Sequence, residues 1–347
     1  MSDQLNMANA ENPVLVDVRR GVGVESIHRG AVAVVDATGR LVLGMGDIAG
    51  AVFPRSASKP LQALPLVETG AALKFANSDA DIALACASHN GAVGHVEHVA
   101  AFLQNLGLGE DDLECGAQVP MGDGEGEAFL RNGQTASALY NNCSGKHAGF
   151  MATALALGAD VPGYIRPDHP VQVRVMEAVR EMTGADPVYQ PCGTDGCGIP
   201  APAFPLQALA LGMARMADPK ALSPDRATAC RAVVAAMVAH PDLVAGEGRF
   251  DTVLMRAVSG IVSKAGAEGV QVAILPRLGL GVALKIDDGA RRAAEVAMGA
   301  VLVRLGVVDA ADAARAETLT VPIRNRAGDI VGDIRSRPGL WDQSSAS

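Results

Sequence analysis

The sequence predicts an α/β fold of the α+β type, in which strands from the two ends of the chain join into one partly antiparallel sheet with flanking helices. Hairpin patterns occur near both ends, and apolar residues between about 60 and 240 recur mostly at helical spacing. Hairpins require antiparallel pairing. Because each element must bury its apolar face against another element, we expect residues 14–60 and 240–347 to form a sheet lobe. A mainly helical lobe over 61–239 is inserted between these two parts, in one compact unit.

Strand patterns support the sheet lobe at each end. Near the N-terminus, residues 27–35 read as a strand, Asp36-Ala37-Thr38-Gly39 as a turn and residues 40–44 as the start of the return strand. After residue 240 the sequence predicts two strands, an amphipathic helix and a closing hairpin, over Val270–Leu275, Gly281–Ile286, Ala290–Leu305, Leu319–Ile323 and Ile330–Arg335.

The helical lobe is predicted from apolar stripes of helical period. A helix is expected over 59–72, with Pro60 near its start. Two connections, Gly122–Gly133 and Tyr189–Pro205, are rich in Gly, Pro, Asp and Asn, and long irregular loops of this kind are often functional. The further predicted helices are His95–Leu106, Lys146–Leu157, Pro170–Met182, Leu206–Met216 and Arg226–Val238.

The composition is that of a globular protein with a small substrate. The chain has 347 residues, of which 49% are hydrophobic and 19% charged, and this balance argues against disorder. The formal net charge is −9 and no run of Lys and Arg is present, so we expect no nucleic-acid partner. No uninterrupted apolar stretch approaches about eighteen residues, so we expect no membrane span.

The N-terminus and the cysteines indicate a cellular compartment. Residues 1–13 are polar and acidic and are predicted to form a disordered tail, without the basic and apolar regions of a secretory signal. A cytoplasmic location is therefore expected. In that reducing compartment the six cysteines are expected to be buried thiols, metal ligands or reactive groups rather than disulfides.

The first segment with chemical potential is Arg55-Ser56-Ala57-Ser58-Lys59-Pro60, where the hairpin region gives way to a helix. Residues three apart on a first helical turn share a face, so the Ser56 hydroxyl and the Lys59 amine are expected within mutual reach. Serine needs a base to become a nucleophile, and lysine serves only when burial or neighbouring cations keep it neutral. The alternative is an N-cap serine beside an exposed lysine, because this spacing often arises by chance.

The second segment is Cys86-Ala87-Ser88-His89-Asn90-Gly91, which follows the apolar run Ile82–Ala85. A serine, an imidazole and a carboxamide emerge together there, and this placement suits a cleft. The alternative is an Asn-Gly turn with a capping serine. His95 and His98, three apart on a predicted helix, are interpreted as a surface pair because nothing else marks them as ligands.

The third segment, Ser263-Lys264-Ala265-Gly266, precedes a predicted strand and by itself is compatible with a loop carrying an exposed lysine. Together, however, the three segments follow the order S-x-x-K, S-x-N and K-x-G of serine β-lactamases and penicillin-binding proteins. The strand, helical insert and strand layout agrees with that fold. Serine glutaminases use a related arrangement. The positions are filled here by Ser56/Lys59, Ser88/Asn90 and Lys264/Gly266.

Two further segments carry cysteines. The segment over 141–147 is not a P-loop, because Tyr140 stands where the leading glycine is required and His147 where Ser or Thr must follow Lys146. Cys143 in this segment and Cys197 in the long irregular loop are far apart in the sequence, so spacing alone does not pair them. A zinc site and two unrelated buried thiols both stay open, since spacings such as C-x-x-C are absent.

In combination these segments resemble the bacterial type-II asparaginases, the class-3 family typified by the inducible rhizobial enzyme. The resemblance runs from about residue 13 to 336. Its matching segments are PRSASKPLQALPL (54–66), CASHNG (86–91), NNCSGKHAGF (141–150), GTDGCGIPAPAFPL (193–206) and the region of Lys264-Ala265-Gly266.

The resemblance implies hydrolysis of L-asparagine to L-aspartate and ammonia by a homodimer with the β-lactamase/glutaminase-like fold. It implies two serine–lysine tandems, Ser56 with Lys59 and Ser88 with Lys264. It also implies a zinc ion near the active site, held by Cys143, Lys146 and Cys197. Around the substrate or the metal we expect Arg55, His89, Asn90, His147 and Asp195.

Other functions remain compatible with the same residues. A glutaminase is the nearest rival, because glutamine differs from asparagine by one methylene, which a pocket discriminates by only about 1–3 kcal/mol. A β-lactam- or peptide-processing hydrolase is disfavoured by the missing secretory signal. A non-catalytic zinc-binding protein or an oligomeric scaffold of the same fold is the non-enzymatic alternative, and the presence of both serine–lysine pairs argues against it.

Overall fold

The computed structural model describes residues 11–122, 124–186, 192–309 and 320–341. Its largest feature is an eight-stranded sheet that joins strands from both ends of the chain. Numbered along the chain, the described strands are β1 (Val14–Arg20), β2 (Gly23–Asp36), β3 (Leu41–Met45), β4 (Ala51–Val52), β5 (Cys192–Thr194), β6 (Pro200–Pro202), β7 (Phe204–Pro205), β8 (Val262–Ala265), β9 (Val270–Leu275), β10 (Leu280–Ile286), β11 (Thr320–Arg324) and β12 (Ile330–Ser336).

Helices fill most of the chain between β4 and β8. A 3₁₀ turn over Arg55–Ser58 leads directly into the first α-helix. The described α-helices are α1 (Lys59–Gln62), α2 (Leu64–Glu68), α3 (Ala71–Lys74), α4 (Asp79–Ala85), α5 (Val93–Asn105), α6 (Glu125–Arg131), α7 (Ser144–Leu157), α8 (Pro170–Thr183), α9 (Leu206–Ala217), α10 (Pro224–Ala239), α11 (Pro241–Val244), α12 (Phe250–Ala257) and α13 (Arg291–Arg304).

The order of the sheet is β11-β12-β1-β2-β10-β9-β8, and β3 pairs with β2 outside this path. Strand β2 is long enough to serve different neighbours along its length. Its first half pairs with β1, and its second half pairs with β10 and β3. The predicted fold class is confirmed: this is a mixed α/β fold in which N- and C-terminal strands share one sheet. Every strand pair in the described residues is antiparallel.

The two faces of the sheet support two separate apolar cores. Side chains of a strand alternate between the faces, and along β2 residues Val32 and Val34 pack in the core that includes α13. Ala31, Ala33 and Val35 pack in the larger core formed with the central helices. The sheet therefore lies between α13 and the helical region.

Helix α9 approaches the sheet closely at Gly281 of β10. A Cβ atom at this position would lie 2.2 Å from the backbone oxygen of Ala210 in α9. A larger residue would therefore push the helix away from the sheet, and glycine permits the contact.

The structure corrects several predicted elements. The helix expected over 59–72 is divided into α1, α2 and α3. Pro65 at the start of α2 cannot donate the amide hydrogen bond that would continue α1, and Gly70, with φ at 73°, separates α2 from α3. The loop expected over Gly122–Gly133 contains helix α6. The segment containing Lys264 is strand β8 rather than a loop.

The other predicted helices correspond to α5, α7, α8, α9, α10 and α13 with small changes at their ends. Strand β1 and helix α12 carry no prediction from the sequence. The division into a sheet lobe and a helical lobe stays a prediction, and the tail predicted over 1–13 lies outside the described residues as far as residue 10. Within the described ranges, every helix is too short or too polar to cross a bilayer.

Candidate active site

The turn after α4 carries Ser88, and its backbone is fixed to the segment after α10. The amide of Ser88 donates a hydrogen bond to the carbonyl of Val244 at 2.9 Å, and the amide of Asn90 donates to the carbonyl of Ala245 at 3.0 Å. Ser88 is nearly buried, with 6% of its surface exposed. Its hydroxyl is therefore held at a defined place inside the protein rather than on a free turn.

Two lysine amines converge on the Ser88 hydroxyl. The Nζ atom of Lys59, at the start of α1, lies 2.9 Å from Ser88 Oγ, and the Nζ atom of Lys264, on β8, also lies 2.9 Å from it. Lys59 donates further hydrogen bonds to the Ala87 carbonyl and to Cys143 Sγ, the latter at 3.1 Å. A hydroxyl has two lone pairs and one proton, so Ser88 is placed to carry a proton between the two amines.

Burial makes both amines easier to deprotonate than a surface lysine. It lowers the pKa of Lys59, an effect that the nearby Lys146 charge reinforces and the Cys143 sulfur opposes. It also lowers the pKa of Lys264 to about 7, with help from the Lys59 charge. At neutral pH a substantial fraction of Lys264 is therefore the free amine.

Ser56 lies half-buried in the 3₁₀ turn, one turn before Lys59. The Lys59 amine is directed at Ser88, and within the described residues the Ser56 hydroxyl forms no hydrogen bond, with Lys59 or otherwise. Ser58 does not compete for Lys59, because its hydroxyl donates to the Arg55 carbonyl at 2.8 Å. The Ser56 hydroxyl is thus left available to a bound molecule.

Arg55 precedes Ser56 and has a left-handed backbone, with φ at 50°. Such a conformation is uncommon outside glycine and is often found at functional sites. The Arg55 guanidinium donates from Nε and Nη2 to Asp195 Oδ1, at 3.0 and 2.7 Å. Burial raises the pKa of Asp195, but the Arg55 hydrogen bond and the Lys146 charge outweigh it, so the pKa lies below its usual value.

Cys143, Lys146 and Cys197 form one buried cluster beside Lys59. Lys146 Nζ lies 3.0 Å from Cys197 Sγ, and Cys143 lies close enough to Cys197 for the two thiols to interact. The interaction with Cys197 and the charges of Lys146 and Lys59 lower the pKa of the Cys143 thiol well below its usual value, against the effect of burial. Burial lowers the pKa of Lys146, but the two sulfurs raise it overall.

This cluster is the part of the described structure with the donor chemistry of a zinc site. Two thiolates are ordinary zinc ligands, and an amine can bind zinc after losing its proton. In the described ranges, no group of three or more His, Cys, Asp or Glu side chains is arranged to hold a metal ion. A metal held at this place by three protein side chains would take the Lys146 amine as the third ligand, beside the two cysteines.

His89 and Asn90 follow Ser88 in the chain but differ in their surroundings. The His89 ring is buried, with Nε2 2.9 Å from Ser144 Oγ and Nδ1 accepting from the Gly91 amide. Burial lowers the pKa of His89 well below its usual value, so the ring is neutral. Asn90 Oδ1 accepts a hydrogen bond from Arg249 Nη1 at 2.9 Å.

His147 and His95 are both buried. His147 Nδ1 lies 2.7 Å from the Tyr164 hydroxyl, and burial lowers the pKa of its ring well below its usual value. The surface position predicted for His95 is wrong: 5% of it is exposed, its ring stacks on His89, and Nε2 lies 2.8 Å from the Asp242 carbonyl. His98, in contrast, is partly exposed and pairs with Asp81.

Sequence reasoning missed two residues near this site, Arg249 and Asp251. Arg249 contacts Asn90, and Asp251 contacts the strand that carries Lys264. The residues around them form no recognisable motif, and their partners lie elsewhere in the chain. Only the packing of α12 against β8 brings them to the site.

One known protein family is similar to this chain over most of its length. A search of solved structures finds a β-lactamase from Mycobacterium bovis with 16% sequence identity and a TM-score of 0.44, over 80% of this chain and 95% of that one. A search of curated proteins finds no significant match. The family model described as L-asparaginase II matches residues 16–336. The predicted resemblance is thereby confirmed, and the chain belongs to the L-asparaginase II family.

Proposed function

We propose that this amidohydrolase converts L-asparagine to L-aspartate and ammonia with Ser56 as the nucleophile and with Lys59, Ser88 and Lys264 moving the protons. The observation that carries the proposal is the convergence of the Lys59 and Lys264 amines on Ser88 Oγ, each at 2.9 Å. Membership of the family makes the protein a hydrolase acting on amides. The two serine–lysine pairs supply the nucleophile, the base and the proton donor that such a reaction needs.

Accessibility favours Ser56 over Ser88 as the nucleophile. Ser56 is half-buried and its hydroxyl is uncommitted in the described residues, whereas Ser88 is nearly buried and engaged by two amines. Ser56 also follows Arg55, which contacts Asp195. Together these two side chains offer one positive and one negative charge, which suit the α-carboxylate and α-ammonium groups of an amino acid. A substrate held there would place its side-chain amide near Ser56.

The proton transfers follow from these positions. The neutral Lys59 amine, which contacts Ser88 Oγ in the protein without substrate, turns to Ser56 and takes its proton as Ser56 Oγ bonds to the amide carbon, giving a tetrahedral intermediate. As that intermediate collapses, the carbon–nitrogen bond breaks and nitrogen leaves as ammonia, with a proton supplied by Lys264 through Ser88. A water molecule then attacks the β-aspartyl ester and gives one proton to the neutral Lys264 amine through Ser88. Lys59 returns its proton to Ser56 Oγ as the ester bond breaks and L-aspartate departs.

Arg55 and Asp195 are proposed to hold the two charged groups of the substrate. The guanidinium suits the α-carboxylate because it can form paired hydrogen bonds, and the carboxylate suits the α-ammonium group. In the protein without substrate, the charges of Arg55 and Asp195 neutralise each other. We assign Asn90 to the substrate pocket and the buried rings of His89 and His147 to its walls.

The proposed zinc ligands are Cys143, Lys146 and Cys197. Their fit rests on the donor set itself, two buried sulfurs and one amine in mutual contact. When bound, zinc supplies a fixed positive charge and Lewis acidity that lower the pKa of groups attached to it. The cluster adjoins Lys59 through Cys143, so it also fixes one side of the catalytic amine.

Replacing Cys143 or Cys197 by serine is expected to weaken zinc binding by roughly 10²-fold or more, because the hydroxyl is a poorer ligand for zinc than a thiolate. Zinc content by elemental analysis and competition with a chromophoric chelator measure this directly, without reference to activity. Cys192→Ser is the matched control, since Cys192 is exposed and outside the cluster. Equal zinc affinity in all three variants and the wild type would refute the assigned ligands.

The substrate assignment is tested by ammonia release from L-asparagine and L-glutamine. We expect asparagine to be preferred by about 10–200-fold in kcat/KM, the range that one methylene commonly provides. A preference for glutamine would reassign the enzyme as a glutaminase. No release from either amide, with zinc supplied, would instead favour the non-catalytic binding protein.

A homodimer in the cytoplasm completes the proposal. The dimer follows from the family resemblance. Sedimentation analysis at several concentrations distinguishes a dimer from a monomer.

A further inference from the structure

A buried carboxylate lies behind the strand that carries Lys264. Asp251, on helix α12, is 2% exposed. Its Oδ1 atom accepts hydrogen bonds from Ser263 Oγ at 2.7 Å and from Gln271 Nε2 at 2.6 Å, and its Oδ2 atom accepts one from the Ala265 amide at 2.9 Å. Gln271 Nε2 also donates to Ser263 Oγ at 2.8 Å, which closes the network.

The partners of Asp251 flank Lys264 on both sides. Ser263 and Ala265 are its neighbours on β8, and adjacent side chains of a strand point to opposite faces. In the described part of the sheet, β8 pairs only with β9, so it is an edge strand. At this edge the Asp251 carboxylate accepts the hydrogen bond of the Ala265 amide, in place of a neighbouring strand. The Lys264 side chain points to the opposite face of β8 from Ser263 and Ala265, towards Ser88.

We propose that Asp251 is the positioning residue for Lys264. It fixes β8 so that the amine meets Ser88, and its negative charge partly offsets the free-energy cost of burying the Lys264 ammonium group. The inference rests on the proposed role of Lys264 as the proton donor to the leaving ammonia. Asp251 touches no reacting atom and acts through Lys264.

The charges around Lys264 determine the sign of the expected effect. Burial is the largest influence and lowers its pKa, and the charges of Lys59 and Arg249 lower it further. Asp251 and Cys143 act in the opposite direction. Removing the Asp251 charge therefore lowers the pKa of Lys264 from about 7 to a smaller value. The ammonium form, which donates the proton, is then lost at a lower pH.

The test compares Asp251→Asn with Asp251→Glu and Lys264→Met by steady-state kinetics across pH, with folding checked by circular dichroism. We expect Asp251→Asn to lower kcat by about 10²-fold through misplacement of the amine, with KM largely retained. We also expect the alkaline limb in the plot of kcat against pH to shift to lower pH by about one unit. Asp251→Glu keeps the charge and should return the limb to its wild-type position.

A lower melting temperature without any movement of the limb would overturn the inference, because a merely structural role predicts that result. Undiminished kcat in Lys264→Met would instead show that the proposed role of Lys264 is wrong. If Asp251→Asn does not fold, Gln271→Met removes one donor to the carboxylate and keeps its charge. That variant should lower kcat with the limb unmoved, and an unchanged kcat would overturn the positioning role.

Discussion

Replacement of Ser56 by alanine is expected to reduce kcat for L-asparagine by roughly 10⁴- to 10⁶-fold, the loss typical of removing a serine nucleophile. The expectation follows from the position of Ser56, half-buried in the turn before α1 with a hydroxyl that is free in the described residues. Binding of L-aspartate, measured by calorimetry, should persist because Arg55 and Asp195 are unchanged. Ammonia release in single-turnover and steady-state assays measures the loss.

Ser58→Ala is the matched control for this experiment. Ser58 lies in the same turn, and among the residues that the structure describes its hydroxyl bonds to local partners alone, the Arg55 carbonyl and Gln62. We expect it to retain activity within about tenfold, since neutral hydrogen bonds of this kind contribute about 1 kcal/mol each. If Ser56→Ala retained comparable activity, Ser88 or a water molecule would have to be the nucleophile.

Replacement of Ser88 by alanine is expected to lower kcat by about 10²- to 10⁴-fold, the usual contribution of positioned proton transfer. The loss follows because Ser88 Oγ is the shared partner of the Lys59 and Lys264 amines, at 2.9 Å from each. Without the hydroxyl, two buried amines face one another with no group to carry a proton between them. The acyl-enzyme should still form slowly, because Ser56 remains.

The measurement is the rate of ammonia release together with the mass of the intact protein after rapid quenching. Ser78→Ala is the control, because Ser78 caps the far end of helix α4, which leads to Ser88. Loss of the cap should cost about 1 kcal/mol of stability and leave kcat near the wild-type value. A larger loss in Ser88→Ala than in Ser56→Ala, with no acyl-enzyme in either, would exchange the roles of the two serines.

Local patterns in the sequence were sufficient for much of the fold. Helices such as α8 and α10 begin at Pro170 and Pro224, close to the predicted starts, because the apolar spacing and the starting proline act within a few residues. Strands β9 and β10 were predicted nearly to the residue, because their apolar runs and the turn between them are also local features. The matching motif segments in combination indicated the family, which the matched family model confirms.

Local patterns failed where a neighbour distant in the sequence decides the conformation. The Lys264 segment resembles a loop by composition, but pairing with β9 and the Asp251 carboxylate make it a strand. His95 resembles a surface residue by spacing, but it is covered by His89 and the segment containing Asp242. In both cases the deciding hydrogen bonds come from another element.

The sequence by itself determined the fold class and the helices and strands with strong periodicity, and it provided candidate residues for the chemistry. Only the tertiary structure decided which of them meet: Lys59 reaches Ser88 instead of Ser56, Lys264 joins it from 176 residues away, and Arg55 pairs with Asp195 across 140 residues. The physical reason is that a hydrogen bond requires contact within about 3 Å. Helical spacing brings only residues that are close in the sequence into such contact. For residues far apart in the sequence, contact depends on how the helices and the sheet pack together.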